Sequence, residues 1–238
     1  MEFSDIHIHA LFGCDDGAKN ADEMFSIIDS SYADGVREMC LTPHYHPGYY
    51  GDNGGQAEKA FSILQNEAKE RYPGLNLYLG NELHYNKGCV SWLQDGMCRT
   101  LGDTQYVLVD FRDDAENKEI HRGLDQLLNA GYIPVLAHVE RYSDLRKDLQ
   151  DIRDFRENGV IIQIDAKSVL NGFTWGIRRR CASVLKARLA DIAASDAHDM
   201  SKRSQDMKRC YQELSRQYGE KYANALCWEH PHRLLSKE

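Results

Sequence analysis

No apolar run in this 238-residue sequence approaches the roughly 20 residues that cross a bilayer. No basic stretch followed by an apolar one stands near its start, so neither a membrane insertion nor a leader is expected. Basic residues are outnumbered, 29 Lys and Arg against 37 Asp and Glu, and the one basic run is Arg178-Arg179-Arg180. The concentrated basic footprint of a nucleic-acid binder is therefore missing, and a nuclease is disfavoured with it. The net charge of −8 does not exclude an anionic substrate, because a few arginines or a metal reverse the field locally. The 7 cysteines are odd in number and include no CxxC, which suits reduced thiols in the cytoplasm better than a disulfide framework. Internal repeats, low-complexity tracts and Pro/Gly/Ser-rich linkers are also absent, so residues 1–238 are expected to form one domain.

What is present is alternation. Short apolar, strand-like runs lie at 3–8, 36–41, 75–79, 105–109, 132–137, 160–164 and 189–194. Between them lie amphipathic stretches at 20–33, 55–71, 116–130, 145–157, 173–187 and 203–218. Asn20 and Asp22 are candidate caps for the first helix, and Gly35, Gly131 and Gly159 stand where helix hands over to strand. Such alternation predicts a parallel sheet, either closed into a (β/α) barrel or open and doubly wound.

The residues that follow each strand favour the barrel. The first strand leads into His7, His9, Asp15 and Asp16, and the second into "TPHYH" with His44 and His46. The third leads into "GNELHY" with Glu82 and His84, the fourth into Asp110, and the fifth into "AHVERY" with His138, Glu140 and Arg141. The seventh ends in "SDAHD" with Asp196, His198 and Asp199. In parallel α/β folds the C-terminal strand ends share one rim. A barrel makes these ends converge, whereas an open sheet spreads them along a line. Taken singly, each motif also reads as core histidine, loop or helix cap; together they point to metal. Imidazoles and carboxylates without thiolate suit Mn²⁺, Fe²⁺ or Zn²⁺, and so many donors suit two or three ions sharing carboxylates.

In their order, "DIHIH", "DDGA", "TPHYH", "GNELHY", "HVERY" and "SDAH" span residues 5–198. This set resembles the PHP (polymerase and histidinol phosphatase) superfamily. More closely, it resembles the bacterial PHP-type protein-tyrosine phosphatases that partner tyrosine autokinases controlling capsular and exopolysaccharide synthesis. The tail "WEHPHRLL" is similar to that family's closing segment. The resemblance implies a distorted (β/α)7 TIM-like barrel with a metal site at the C-terminal rim of its strands. It implies a phosphomonoester hydrolase using two or three divalent ions, Mn²⁺ first among them, with a metal-bridging hydroxide as nucleophile. One ion is expected on His7, His9, Glu82 and Asp196; a second shares Glu82 and adds Asp110 and His138; a third takes Asp16, His44 and His198. Arg141 and Arg203 are expected on the phosphate, acting in catalysis together with His44, His138, Asp196 and His198. Asp110 stands where the family has glutamate, one methylene longer, and Phe12 and Val139 stand where it has proline.

Further expectations concern the surroundings. Gly13 and Gly17 are expected to bring Asp16 round to the site, and Asp5 to orient an imidazole. Tyr45, Tyr49, Tyr50 and Tyr142 are candidates to flank a phosphotyrosine ring, the ring belonging to the tail of an autokinase. Cys210 and Arg216 have the C-x5-R spacing of a cysteine phosphatase, but "YQELS" between them has no glycine to cradle phosphate. The alternatives are a histidinol-phosphate-type phosphatase and a weakly catalytic metal-binding partner of a kinase.

Overall fold

The structure, a computed structural model, describes residues 1–50, 55–146, 149–170 and 172–236. In chain order its strand segments are β1 (Phe3–Ile8), β2 (Val36–Leu41), β3 (His44–Tyr45), β4 (Asn76–Leu79) and β5 (Glu82–His84). They continue with β6 (Tyr106–Asp110), β7 (Ile133–Leu136), β8 (Ile161–Asp165) and β9 (Ile192–Ala194). All pairings are parallel, in two arcs, β1-β2-β4 and β3-β5-β6-β7-β8-β9.

Two of these strands are broken rather than extra. Only Thr42 and Pro43 separate β2 from β3, and only Gly80 and Asn81 separate β4 from β5. Gly80 N donates to Leu41 O at 2.9 Å and Glu82 N to Pro43 O at 3.2 Å, carrying the ladder across both breaks. Joined in this way, the segments occupy the seven positions that the sequence predicts. The ring closes where Ile8 bridges Ala197, with Asp196 N donating to His7 O and His9 N to Ala197 O, both at 2.9 Å. Pro43 supplies no N–H and marks one of the breaks.

The helices are α1 (Ala21–Asp34), α2 (Gln56–Arg71), α3 (Cys89–Gln94), α4 (Asn117–Asn129), α5 (Gln150–Glu157), α6 (Ala166–Val169), α7 (Trp175–Lys186) and α8 (Met207–Tyr218). Of the two candidate caps, Asn20 does the work: its Oδ1 accepts from Glu23 N at 3.0 Å. Asp22 lies instead in the first turn, where its charge suits the helix dipole. The stretch predicted as one helix at 145–157 is a 3₁₀ turn (Asp144–Arg146) followed by α5, and the helix expected from 203 begins only at Met207. α3, α6 and the helical tail were not foreseen.

That tail runs through α9 (Glu220–Asn224), a π-helical turn (Ala225–Glu229) and α10 (His230–Leu235). Leu234 and Leu235 pack with Ile6, Cys40, Leu108, Val135 and Ile192, drawn from five different strands. Side chains from five strands of a ring meet only in its lumen. Leu101, which precedes β6, belongs to the same cluster, so the plug sits at the N-terminal ends of the strands. The opposite end is left for polar residues.

Candidate metal centre

β1 delivers His7 and His9 to the rim, both fully buried. The chain then turns back through Gly13, at φ +72°, and Gly17, where a Cβ would lie 2.0 Å from His9 O. No other residue fits that approach. The turn places Asp15 Oδ2 2.7 Å from His9 Nδ1 and Asp16 Oδ1 3.4 Å from His44 Nε2. Both glycines thus act as the sequence predicts.

Four donors then surround one point. His7 Nε2 and His9 Nε2 stand 3.1 Å apart. Glu82 Oε2 lies 3.3 Å from the first and 3.2 Å from the second, and Asp196 Oδ1 lies 3.4 and 3.5 Å from them. Donors about 2.1 Å from a common ion sit about 3–3.5 Å apart, so His7, His9 and Glu82 have the spacing to hold one divalent cation, with Asp196 beside both imidazoles. Glu82 Oε2, though close to these imidazoles and 2.8 Å from His44 Nδ1, has no hydrogen-bond partner among the described residues. His138 Nδ1 and His198 Nε2 are likewise buried and unpartnered. Buried polar atoms without partners, Glu82 Oε2 above all, fit the binding of a cation here.

The neighbouring positions are also assembled. Glu82 Oε1 meets His138 Nε2 at 2.9 Å, and Asp110 reaches the same group within 4.8 Å despite its shorter side chain. His9, His44 and His198 form a further cluster, and His198 Nε2 lies 3.4 Å from Asp16 Oδ1. Every residue expected on a metal therefore lies at one rim.

Electrostatics set the protonation of this cradle. Burial opposes charge on His7, but Glu82 and Asp196 outweigh it and raise its pKa to about 9. His44, also against burial, is raised to about 12 by Glu82 and Asp16. Burial and the nearby His9 push His198 down to about 4, leaving a neutral imidazole. The imidazoles of His198 and His44, each 3.4 Å from Oδ1, hold Asp16 well below the usual carboxylate range.

Arg141 Nη2 donates to Asp165 at 2.6 Å and also to Asp196, while Arg203 Nη2 bonds both Asp196 oxygens at 3.0 Å. Arg141 Nε is buried with no partner, which leaves a spare donor. Two site residues, His138 at φ 35° and Asp196 at φ 51°, occupy the left-handed region without being glycine. Such backbone costs about 1–3 kcal/mol per residue and persists where the surroundings enforce it.

Some expectations need correcting. Asp5 orients no imidazole; its Oδ1 accepts from the backbone N–H of Ser195 at 3.1 Å and of His7 at 3.4 Å, tying β9 to β1. The imidazoles are oriented by Gln163, 3.1 Å from His7 Nδ1, and by Asp15 on His9. Tyr142 is fully buried, its hydroxyl accepting from Phe111 N, and Tyr45 is buried too. Tyr50 stacks on His44 with centroids 5.5 Å apart, and Tyr49 is exposed, so these two can flank a substrate ring. Cys210 is fully buried in α8, and burial together with Cys227 drives its thiol far above the ordinary range. Arg216 points away into an ion pair with Glu213. A cysteine nucleophile is ruled out there. His84, given no role from sequence, binds both Asp110 oxygens through Nδ1 at 3.0–3.1 Å and stacks on His46.

A family model described as capsular polysaccharide synthesis, CpsB/CapC, matches residues 3–236. The chain belongs to the CpsB/CapC family. A CpsB/CapC relative, the tyrosine-protein phosphatase CpsB of Streptococcus agalactiae serotype III (strain NEM316), is 30% identical over 236 residues, covering 97% of each chain. Among solved structures, one from work on YwqE from Bacillus subtilis and CpsB from Streptococcus pneumoniae, unique metal-dependent tyrosine phosphatases, aligns at a TM-score of 0.88. That match has 26% identity and covers 97% of this chain and 93% of the other. The histidinol phosphate phosphatase of Lactococcus lactis subsp. lactis Il1403 shares the fold alone, at a TM-score of 0.58 and 14% identity over 93% of this chain and 94% of that one. The CpsB/CapC assignment and the fold agree with the resemblance read from the six motifs.

Proposed function

We propose that this chain is a metal-dependent protein-tyrosine phosphatase acting on a phosphotyrosine-bearing protein, the tail of a tyrosine autokinase in polysaccharide synthesis. One observation carries the reading: the buried His7, His9 and Glu82 cluster shares Glu82 with a second cluster of Asp110 and His138, beside two arginines, a half-buried Tyr50 and an exposed Tyr49. In this reading His7, His9, Glu82 and Asp196 hold one ion, Glu82, Asp110 and His138 a second, and Asp16, His44 and His198 a third, with Mn²⁺ the expected metal. Bound divalent ions supply Lewis acidity to a phosphoryl group and lower the pKa of water. The chain's own residues do the rest. Arg203 presents its fork at the mouth and Arg141 its spare Nε–H to phosphate oxygens. Tyr50, stacked on His44, and Tyr49 line the path of the aryl leaving group. A phenolate, with a pKa near about 10, leaves with little help from a general acid. The described residues contain no helix long and apolar enough to cross a membrane, and all seven cysteines are free and buried, which supports a cytoplasmic setting.

The test is turnover of a phosphotyrosine peptide, a phosphoserine peptide and histidinol phosphate, with Mn²⁺ and after chelation. The phosphotyrosine peptide should be preferred and chelation should stop the reaction. Preference for histidinol phosphate, or activity that survives complete metal removal, overturns the proposal. A pH dependence accompanies it. Without metal, His7 (about 9) and His44 (about 12) carry protons at neutral pH, which an ion must displace, whereas His198 (about 4) carries none. Metal affinity should therefore tighten as pH rises from 6 to 8, by about tenfold per pH unit for each proton released. A chelator-competition titration reads this, and a flat profile would exclude these imidazoles as ligands.

His84 gives a further prediction. Its hydrogen bonds fix the carboxylate of Asp110, and partners that orient a ligand contribute about 10–100-fold in metal affinity. His84→Ala should weaken one class of metal site by that factor in a calorimetric titration, with kcat recovered at saturating Mn²⁺. Unchanged affinity would show that Asp110 holds no metal or needs no such support.

A further inference from the structure

The one basic run in the sequence, Arg178-Arg179-Arg180, lies outside the metal rim but close to it. It belongs to the first half of α7, whose N-terminal turn faces the start of α5 across a cleft of about 740 Å³. Ile152 and Val184 contribute an apolar floor, and Arg153, Arg179 and Arg180 line the walls. Trp175, also lining the cleft, is 69% exposed, with the Arg179 guanidinium 5.4 Å above its ring. An indole left this open beside a cation is costly to maintain without a purpose.

Two of the guanidinium charges lining the cleft meet no carboxylate among the described residues. Arg180 is engaged: its Nε donates to Glu140 O, at the back of the turn that carries Arg141. Arg153 and Arg179 have no carboxylate partner among the described residues. Among the described residues that line the cleft the one carboxyl, Glu140, is buried, and its Oε1 accepts from Asp165 N at 2.9 Å, so it is turned inward. Elsewhere the chain carries an acidic surplus, net −8. An acidic segment is therefore repelled by most of the surface and drawn to this wall.

The cleft also backs onto the turn that carries two residues of the site. Val139 and Glu140 line it and lie between His138 and Arg141. Arg141 and Lys167 both stand 5.1 Å from the ring of Phe173, two residues before Trp175. A cationic, aromatic path thus leads from the metal rim to Trp175.

We infer that the cleft between α5 and α7 docks an acidic stretch of the phosphotyrosine-bearing protein, close in sequence to the phosphotyrosine, with Trp175 packing on an apolar side chain within that stretch. The inference rests on the phosphatase reading and adds the flanking sequence that the substrate carries. The acidic residues pair with Arg153 and Arg179, while the phosphotyrosine itself occupies the metal rim.

The experiment uses the full-length, Mn²⁺-loaded chain and three substrates: a phosphotyrosine peptide with acidic flanks, the same peptide with those flanks neutral, and p-nitrophenyl phosphate. The acidic peptide should show the lower KM, and Arg153→Glu with Arg179→Glu should raise that KM about tenfold while leaving kcat unchanged. Trp175→Ala should act in the same direction, and the advantage of acidic flanks should fade at high salt. Neither variant should alter p-nitrophenyl phosphate turnover, which shows that the variants fold. Equal KM for the two peptides, or an acidic-peptide KM indifferent to these substitutions, overturns the inference. Failure of wild-type enzyme on all three substrates would instead strike at the phosphatase reading. Fluorescence anisotropy of the labelled, unphosphorylated acidic peptide then decides the cleft separately: binding lost in Arg153→Glu/Arg179→Glu supports it, and no preference over the neutral peptide overturns it.

Discussion

Glu82→Gln should abolish turnover, lowering kcat on an aryl phosphate at least about a thousandfold, with bound metal falling in parallel. A factor of that size is about 4 kcal/mol of barrier, within what metal-ion catalysis contributes. The reason is the crowd around one carboxylate: His7, His9 and His44 stand 3.3, 3.2 and 2.8 Å from Oε2, and His138 stands 2.9 Å from Oε1. An amide has the same shape, but one arm becomes a donor and the anionic charge is gone. It can no longer serve two clusters. The fold should survive, because the imidazoles shed their protons once the charge that raised His7 and His44 is removed. Elemental analysis of the purified variant, with circular dichroism as the check on folding, measures the effect. Full metal content with full activity would dismantle the shared-carboxylate reading.

Arg141→Met should cost stability as well as activity. Arg141 bridges two carboxylates, Asp165 and Asp196, whose side chains are 0% and 3% exposed. Removing one member of a buried ion cluster typically costs about 3–5 kcal/mol, since the remaining charges stay out of water without compensation. Urea unfolding of the metal-free protein should show a loss of that order. The deficit should narrow in acid, where protonation neutralises the stranded pair. Arg203→Met is the comparison: its side chain is 28% exposed, bonds Asp16 at the open mouth and shares Asp196 with Arg141, so its loss should cost less than that of Arg141, which bridges two buried carboxylates. If the two variants unfold alike, the bridging role of Arg141 is wrong.

The sequence is legible where a single residue type carries the message. β1 (FSDIHI) and β2 (VREMCL) have the bounds the sequence predicts because an apolar residue stands at each end of both runs. The gathering of these residues at one rim is legible because histidines and carboxylates at strand ends have few structural uses in such number. The short β3 and β5 were not, because Pro43 and Gly80 break the apolar run and only the ladder across the break shows that the strand continues. The residues behind the ligands were missed for a different reason. Gln163 touches His7 from 156 positions away, a contact that no local pattern encodes. The one available signal was a lone polar residue within "VIIQI". Tyr142 was misplaced because the turn at Val139–Arg141 points Arg141 and its neighbour in opposite directions.

The bridge between Ile8 and Ala197 has a meaning in time as well as space. Ser195 N holds Asp5, and Asp196 N holds His7, so the same few bonds that close the ring bring the first ligands and the last to one point. Residues 7 and 196 emerge from the ribosome at opposite ends of synthesis. In the proposed centre, a chain in which both have not met lacks Asp196 beside His7, His9 and Glu82. Loading of metal therefore reports completion: a nascent or truncated chain is expected to be inert rather than partly active, and cannot hydrolyse phosphate before its barrel is whole.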